Sequence, residues 1–394
     1  MDRRLLILAL GMFAMGTDNF VVAGILPSVA SSLHTSVSVA GQMVTVYALT
    51  YAVLAPLLAA LGGRWPRKTL LVCALGIFVV GNVISAMAGS IETVLISRAV
   101  AGLGAAMFSP TALGVATSLA APERRGRALA TVTAGLAGAT ALGAPIGTLI
   151  GGIGDWRTTL WFVALLGAAA MAGVALLLRA LPQPAPVTLR ERLRPLRQPG
   201  IVLTLLTSLF GFGGFLMVYS YAGLVFDRAT GGQESLLAAL LLVWGVAATL
   251  GNIVAGRLVD RFDSRSIINL GLLVGIADFC LLHWSGAHLV TTVVALVAWG
   301  LVGWGLIVPQ QHRLVSFAPQ SAPVLMALNN TATYLGLAAS GVLGGASLLF
   351  IDRHDLGFVG AGLIAVALVC AEGAQRFMSR TRGGRHSLQP LATR

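Results

Sequence analysis

Charge is what this chain has least of. Only 10% of its 394 residues are Asp, Glu, Lys or Arg, and 14 are acidic, where a soluble domain carries about a quarter charged residues. With 57% hydrophobic residues and a mean hydropathy of +0.87, a soluble globular domain is excluded. Three cysteines, Cys73, Cys280 and Cys370, stand far apart in apolar runs, so neither a disulfide framework nor a metal site is indicated and packing roles are expected. The histidines, His34, His283, His288, His312, His354 and His386, lie at run ends, in loops or in the tail, without a carboxylate and nucleophile around them. No enzyme activity and no cofactor is indicated. GLGAAMFSP lacks the lysine of a phosphate loop, and no nucleotide-binding domain accompanies the apolar runs, which excludes ATP-driven transport by this chain alone.

Long apolar runs fill the sequence. They fall at about 5–29, 37–62, 69–90, 93–119, 128–152 and 159–181, and again at about 201–226, 235–258, 267–286, 288–311, 324–350 and 357–378. Each can cross a bilayer, which takes roughly 20 apolar residues, so the chain reads as an all-α integral membrane protein of twelve spans. The opening MDRRLLILALGMFAMG has the basic start and apolar region of a signal peptide. Its apolar region, however, continues past Asp18 to Pro27, and its removal would leave an odd number of spans. It is read as span one.

The net charge of +12 could suggest nucleic acid, but its placement excludes that partner. With the N-terminus in the cytoplasm, 22 of the 26 basic residues fall on inner segments; Arg157, Arg228 and Arg353 fall outside and Arg98 within a span. This split follows the positive-inside rule and places both termini in the cytoplasm.

The only long polar connection, LPQPAPVTLRERLRPLRQPG (181–200), divides the runs into two sets of six. The expected organisation is an N-terminal bundle (1–181), a cytoplasmic linker (182–200), a C-terminal bundle (201–381) and a basic cytoplasmic tail (382–394). The halves repeat each other. ALGGRWPRK (60–68) at the end of span two corresponds to GRLVDRFDSR (256–265) at the end of span eight, and Pro110 in span four corresponds to Pro309 in span ten. Two parallel halves of six helices form a known transporter plan, with substrate bound near the midplane between them.

GRLVDRFDSR resembles the cytoplasmic loop motif of the major facilitator superfamily, with Gly256, Asp260, Arg261 and Arg265 matching and Asp263 where a second glycine is usual. In the first-half copy, Ala59 and Gly63 replace the glycine and the aspartate, leaving Arg64, Arg67 and Lys68. These charges set topology alone or form a cytoplasmic latch. LISRAVAGLGAAMFSP (95–110) resembles the span-four motif of proton-coupled members, with Arg98 as its arginine. GLAGATALGAPIGTLIGG (135–152) resembles the span-five motif of antiporters, with Gly135, Gly143, Pro145, Gly147 and Gly151. The glycines make a smooth groove and Pro145 weakens the helix ladder; either this is ordinary packing or it is a hinge, with Gly143 and Gly147 against a helix of the opposite half. GTDNFVVAGILP, PQQHRLVSFAP (309–319) and ALNNTATYLG (327–336) are similar to segments of bacterial twelve-span drug and metabolite exporters, in which a glutamate often stands at the position of Asn19.

Such a fold turns spans one, four, seven and ten inward, flanked by two, five, eight and eleven. The expected cavity residues are Asn19, Gln42, Tyr47, Tyr51, Tyr219, Trp299, Trp304, Gln310, Asn329, Asn330 and Tyr334. Aromatic rings with a few amides suit a mostly apolar or amphipathic ligand; the alternative is that Tyr47 and Trp304, and still more Tyr221 and Trp284, sit in the headgroup belt. Asp278 in span nine is expected to be held by a structural hydrogen bond, and Glu372, near the inner end of span twelve, to snorkel.

Asp18 is the sharpest feature. A carboxylate deep in a span costs about 2.5 to 3.5 kcal/mol on insertion scales and needs a partner, a proton or water. Arg98 has a compatible depth, and a cation whose distance changes as the halves rock would set the acid's proton affinity. Asp18 is therefore expected to carry the proton, with Arg98 as its tuning group; the alternative is a permanent ion pair or a local hydrogen bond. The resemblance implies a monomeric secondary transporter in the bacterial cytoplasmic (inner) membrane, with the major facilitator fold of two pseudo-symmetric six-helix bundles. Its partners would be the bilayer, protons and a small molecule, exported in exchange for protons by alternating access. An uncoupled uniporter, or a non-transporting sensor on the same fold, is the other reading.

Overall fold

The computed structural model describes residues 2–61, 65–179 and 189–386. Arg64 of the expected latch, positions 182–188 of the expected linker and 387–394 of the tail lie outside the described residues. A backbone in hydrocarbon must satisfy its own hydrogen bonds, so apolar runs of this length become helices. The first half contains α1 (Arg3–Ser32), α2 (Gln42–Leu61), α3 (Arg67–Met87), α4 (Ile91–Leu119), α5 (125–153) and α6 (Trp156–Leu177). The second contains α7 (Pro199–Ser220), α8 (Glu234–Val259), α9 (Ser264–Ser285), α10 (289–317, bent at Leu306), α11 (Ala322–Ser347) and α12 (Leu356–His386). Helix starts are marked by capping side chains. Asp2 accepts from the Arg4 N–H at 2.9 Å, and Ser90 accepts from the Thr93 N–H at 3.3 Å, with Glu92 in the first turn of α4.

Among the described residues, eleven helices are long and apolar enough to cross a membrane, by length and composition. The twelfth of the set, α11, is as long as α8 at 26 residues but carries Asn329, Asn330, Thr331, Thr333 and Tyr334 at mid-length. It packs along α7 of its own half and α2 of the other, which is where a polar helix can be held.

Packing in the two halves repeats six helices apart. In the first half α1 packs on α5 and α6, α2 on α4, and α3 on α4 and α6; in the second, α7 packs on α11 and α12, α8 on α10, and α9 on α10 and α12. The seams between the halves are related in the same way, α2 against α11 and α5 against α8. The apolar core is divided unevenly. At the end carrying the α1–α2 and α7–α8 connections, one continuous core joins the halves, from Phe20, Ile25, Met43 and Trp156 to Phe215, Tyr221 and Trp244. Towards the end that carries the chain termini there are two cores: one built on Leu8, Leu71, Phe108 and Val132, the other on Ile201, Leu314 and Leu325. The halves thus share one core at the first end and keep distinct cores towards the other, where they still meet as Tyr334 of α11 packs against the first-half core beside Tyr51.

Bonds across the halves agree with this. Ser28 donates to Glu234 at 2.8 Å, Ser38 to the Gly345 carbonyl at 2.7 Å and Thr45 to the Ala338 carbonyl at 3.3 Å, all on the sealed side. The α5 seam has a local cause. Pro145 lacks an N–H and its ring crowds the carbonyl four residues earlier, and just before it residues Ala139–Gly143 form a single π turn. There α8 comes closest, at Gly245: a Cβ on that residue would lie 2.2 Å from the Thr140 carbonyl oxygen and 2.7 Å from Ala141 Cα.

Several sequence expectations are corrected. Gly143 and Gly147 do not face the opposite half: a Cβ on Gly143 would meet Thr17 at 2.0 Å, and one on Gly147 would meet Val21 at 2.4 Å and Thr159 at 3.3 Å. Gly135 lies on the Ala9 carbonyl, and Gly151 beside Thr159 and Ile25. The smooth groove of α5 receives α1 and α6, and the cross-half approach is made by Gly245 instead. Tyr221 is not in a headgroup belt but buried, donating to the Gly341 carbonyl at 2.7 Å, whereas Trp284 is exposed. Cys73 is exposed rather than packed, and Cys280 and Cys370 are half-buried. Glu372 has a partner the sequence did not indicate: Arg265 of α9 grips it through two bonds, Nε at 2.9 Å and Nη2 at 2.6 Å, at a partly exposed site, and Asn269 donates to it as well. Asp278 leaves Oδ2 buried without a partner among the described residues, in place of the structural hydrogen bond expected.

Candidate functional site

The deepest polar feature is an ion pair. Arg98 of α4 donates through Nη1 to Asp18 Oδ1 at 2.7 Å, and both side chains are buried, 1% and 0% exposed. Tyr47 of α2 supplies the floor, with the guanidinium carbon 4.6 Å from its ring centroid, a cation–π arrangement that steadies the arginine. Asn82 of α3 lies against the Asp18 carboxyl and donates to the Phe78 carbonyl at 3.1 Å. Four helices of one half converge here. The pair is under-bonded: Asp18 Oδ2, Arg98 Nε, Asn82 Oδ1, Thr17 Oγ1 and Tyr47 Oη are all buried without hydrogen-bond partners.

One helical turn from Tyr47, Tyr51 reaches the other half. Its ring stacks on Tyr334 of α11 with centroids 3.7 Å apart and planes 12° from parallel, and its hydroxyl accepts from Asn330 at 2.9 Å. Beside this runs an aromatic cluster shared by the halves. Phe20 of α1 meets Tyr219 edge-on at 5.6 Å and Trp304 at 5.7 Å; Trp244 lies 4.4 Å from Tyr219, 5.4 Å from Trp299 and 5.3 Å from Trp304. The Tyr219 hydroxyl donates to the Phe20 carbonyl at 3.2 Å. Trp244 and Trp299 keep buried indole N–H groups without partners.

Burial therefore removes Tyr47 and Trp304 from any headgroup belt. Of the expected cavity residues, Tyr47, Tyr51, Asn330, Tyr334, Tyr219 and Trp304 gather around the interface, Trp299 lies behind them inside the second half against Phe279 of α9, and Asn19, half-buried, follows Asp18 on α1. Others stand elsewhere. Gln42 begins α2 at the sealed end and donates to the Ser38 carbonyl at 3.2 Å. Gln310 and Asn329 are buried inside the second half, where Ser208 donates to Asn329 at 2.7 Å and Gln310 reaches Ser208 at 3.4 Å; they join α10, α7 and α11 rather than line a cavity. Among the residues of the expected latch, Arg67 lies beside Gly114 of α4 and Gly256 faces open space, while Asp260 and Arg261 are exposed after α8 near Lys68's end of the molecule. Arg265 pairs within its own half, with Glu372.

Sequence reasoning missed Phe20, Trp244 and Asn82. A tryptophan in the middle of span eight, far from either interface, was the available signal for Trp244. Asn82 offered only its polarity in an apolar run.

Known proteins share this architecture. Residues 8–341 match the family model described as Major Facilitator Superfamily. The chain is 27% identical over 368 residues to an uncharacterized MFS-type transporter, YbcL, of Bacillus subtilis (strain 168), covering 93% of this chain and 94% of that one. It is 28% identical over 363 residues to the inner membrane transport protein YdhP of Escherichia coli (strain K12), covering 91% and 93%. A crystal structure of a D-xylose-proton symporter superposes with a TM-score of 0.77 at 18% identity, over 95% of this chain and 97% of that one, which is a likeness of fold.

Proposed function

The chain belongs to the major facilitator superfamily, and from that premise we propose that it exports a small amphipathic or apolar molecule, a drug or a metabolite, in exchange for protons by alternating access. It works as a monomer in the bacterial cytoplasmic membrane with both termini inside. On this reading the sealed end is external and the separately packed end opens to the cytoplasm.

The observation that carries the proposal is the buried Asp18–Arg98 pair at 2.7 Å. An ionisable pair inside the membrane is costly and marks proton or substrate pathways. A uniporter has no use for a protonatable acid beside the interface between its halves. One proton entering down 100 mV supplies about 2.3 kcal/mol before any pH gradient is counted, enough to drive concentration of a neutral substrate. The direction, export, rests on the likeness of 135–152 to the antiporter motif. The substrate class rests on the aromatic cluster, which offers broad apolar faces and two free indole donors. Gly245 against α5 and the Tyr51–Tyr334 stack are the contacts that must part when the sealed end opens.

Everted membrane vesicles energised by respiration, with acridine orange reporting the internal proton concentration, provide the test. A compound panel is added to vesicles with and without the protein. Compound-dependent proton efflux found only with the protein supports exchange. If compounds are taken up by the vesicles without proton movement, the uncoupled reading replaces this one; if they accelerate proton movement in the direction of co-transport, symport does.

A further inference from the structure

At the sealed end the second half carries a knot of charge that the proposed exchange does not use. It gathers the α7–α8 connection (221–233), the end of α9 and the α11–α12 connection (348–355). Asp227 of the first is held by two residues of the last: Arg353 Nη1 lies 3.0 Å from Oδ2, and His354 Nε2 lies 2.7 Å from Oδ1. The other ring nitrogen of His354, Nδ1, lies 2.5 Å from Asp352 Oδ1. Arg228 donates to the His283 carbonyl at the end of α9, and His283 Nδ1 lies 2.6 Å from Asp355 Oδ1. The titratable and charged groups around His354 are thus Asp352, Arg353 and Asp355 of its own connection, Asp227 and Arg228 of the α7–α8 connection and His283 of α9; α12 brings none before Cys370.

A neutral imidazole has one N–H and one lone pair. With a carboxylate oxygen at hydrogen-bond distance from each ring nitrogen, His354 serves both only as the imidazolium. The proton stays on the ring rather than on Asp352, because the His354 backbone N–H, at 2.9 Å, also bonds that carboxylate and holds it below the usual range of an aspartate.

We propose that His354 is a proton-operated clasp on the outer face: its imidazolium ties the α7–α8 connection to the α11–α12 connection, and acid on that side holds the outer end closed. The placement outside rests on the reading of the sealed end as external. The connection held in this way reaches the other half. Tyr221 donates to the Gly341 carbonyl at 2.7 Å, and a Cβ on Gly41, just before α2, would meet its hydroxyl at 2.1 Å. A Cβ on Gly223 would lie 3.1 Å from Pro27 of α1. Loss of the ring proton turns a lone pair towards one carboxylate and leaves Asp227, Asp352 and Asp355 against Arg228 and Arg353, which loosens the connection where it closes on α1. Because the closed clasp holds a proton that the parted one gives up, closure is favoured as pH falls through the range in which histidine ordinarily titrates, about pH 8 to 5. For a carrier loaded from outside, the acidity that loads it also favours return to the sealed state. His283 differs in kind, since its bond to Asp355 needs a single N–H, which the neutral ring supplies.

Spin labels at Met87 and Val290, exposed at the outer ends of α3 and α10, report opening of that end in the purified full-length protein, with its native cysteines replaced and no transported compound present. Between about pH 8 and pH 5 the wild-type open-to-closed ratio should fall about fivefold, the effect of a partly exposed ion pair. His354→Gln should lose that response, and His354→Arg should stay closed throughout. His283→Gln should respond as wild type does, and Asp18→Asn should keep the part that depends on His354. Asp227→Asn, whose amide can bond a neutral ring as well as a charged one, should also lose the response, and it serves if His354→Gln does not survive purification. An equal response in wild type and His354→Gln, or none in wild type, overturns the proposal, and either result leaves the exchange reading to the vesicle assay. The side is fixed separately, by a membrane-impermeant maleimide applied to whole cells. It should label a cysteine at Gln233, in the exposed part of the α7–α8 connection; labelling by a permeant reagent alone would place the clasp inside and overturn it as a response to external acid.

Discussion

Arg98 Nη1 stands 2.7 Å from Asp18 Oδ1 with both side chains closed off from solvent, so each charge is stabilised almost wholly by the other. Removing one partner of a buried pair strands the second and costs about 3 to 5 kcal/mol, whereas replacing both is often nearly neutral. Asp18→Leu and Arg98→Leu should each lower the melting temperature in detergent sharply. The double variant Asp18→Leu/Arg98→Leu should melt closer to wild type than either single one. Additive losses in the double variant would mean that the two residues are not a mutually compensating pair.

The reversal at α5 gives a second expectation. Because Gly143 and Gly147 receive Thr17 and Val21 of the same half, Gly147→Leu should act as a packing lesion: reduced yield and stability, with no preference for one conformation. Gly245→Ala should do the opposite. Its Cβ would strike the Thr140 carbonyl across the seam at 2.2 Å, so each half should fold while the sealed end separates. Spin-label distances between α5 and α8 at that end should lengthen in Gly245→Ala and stay unchanged in Gly147→Leu.

How much of this was legible beforehand divides along one physical line. The class, the helices and the duplicated plan follow from apolar run length and charge placement, which depend on chain-local chemistry; α11 was found by its length although Asn329 and Asn330 lower its apolarity. Residues that act by proximity were legible only where their chemistry was expensive. Asp18 and Arg98 could be paired in advance because neither tolerates hydrocarbon alone. Asn329 and Asn330 look alike in sequence, yet one helical step puts Asn329 into the second half against Ser208 and Asn330 across the interface onto Tyr51. The facing partner of a glycine is equally invisible, which is why the α5 groove was matched to the wrong helix.

Glu372 provides a third check. It receives two bonds from Arg265 and one from Asn269, but the pair is partly exposed, and such pairs are worth about 0.2 to 1 kcal/mol. Glu372→Gln should therefore shift the melting temperature by only a few degrees, about what a change of that size gives, and leave transport per molecule intact. A loss of transport at unchanged stability would show that the α9–α12 tie takes part in the conformational cycle.

At the interface, Tyr51 contributes both a stacked ring and a hydroxyl acceptor to α11. Asn330→Ala removes one hydrogen bond, worth about 1 kcal/mol, and Tyr334→Ala removes a whole stacked ring, worth about 0.5 to 1.5 kcal/mol beyond the area it buries, so the sealed state should weaken in that order. Maleimide labelling of a cysteine placed at Ser38, which is bonded to Gly345 across the sealed end, should speed up in the same order. Equal labelling rates in both variants and wild type would show that these contacts do not hold the halves together.

A proton carried by Asp18 to drive transport makes Asp18→Asn the decisive variant, assayed in proteoliposomes with a compound identified from the vesicle panel. The variant should exchange that compound across the membrane but fail to concentrate it when a pH difference is imposed, while wild type does both. Continued accumulation against the gradient by Asp18→Asn, with the pH difference as its only energy source, would contradict it.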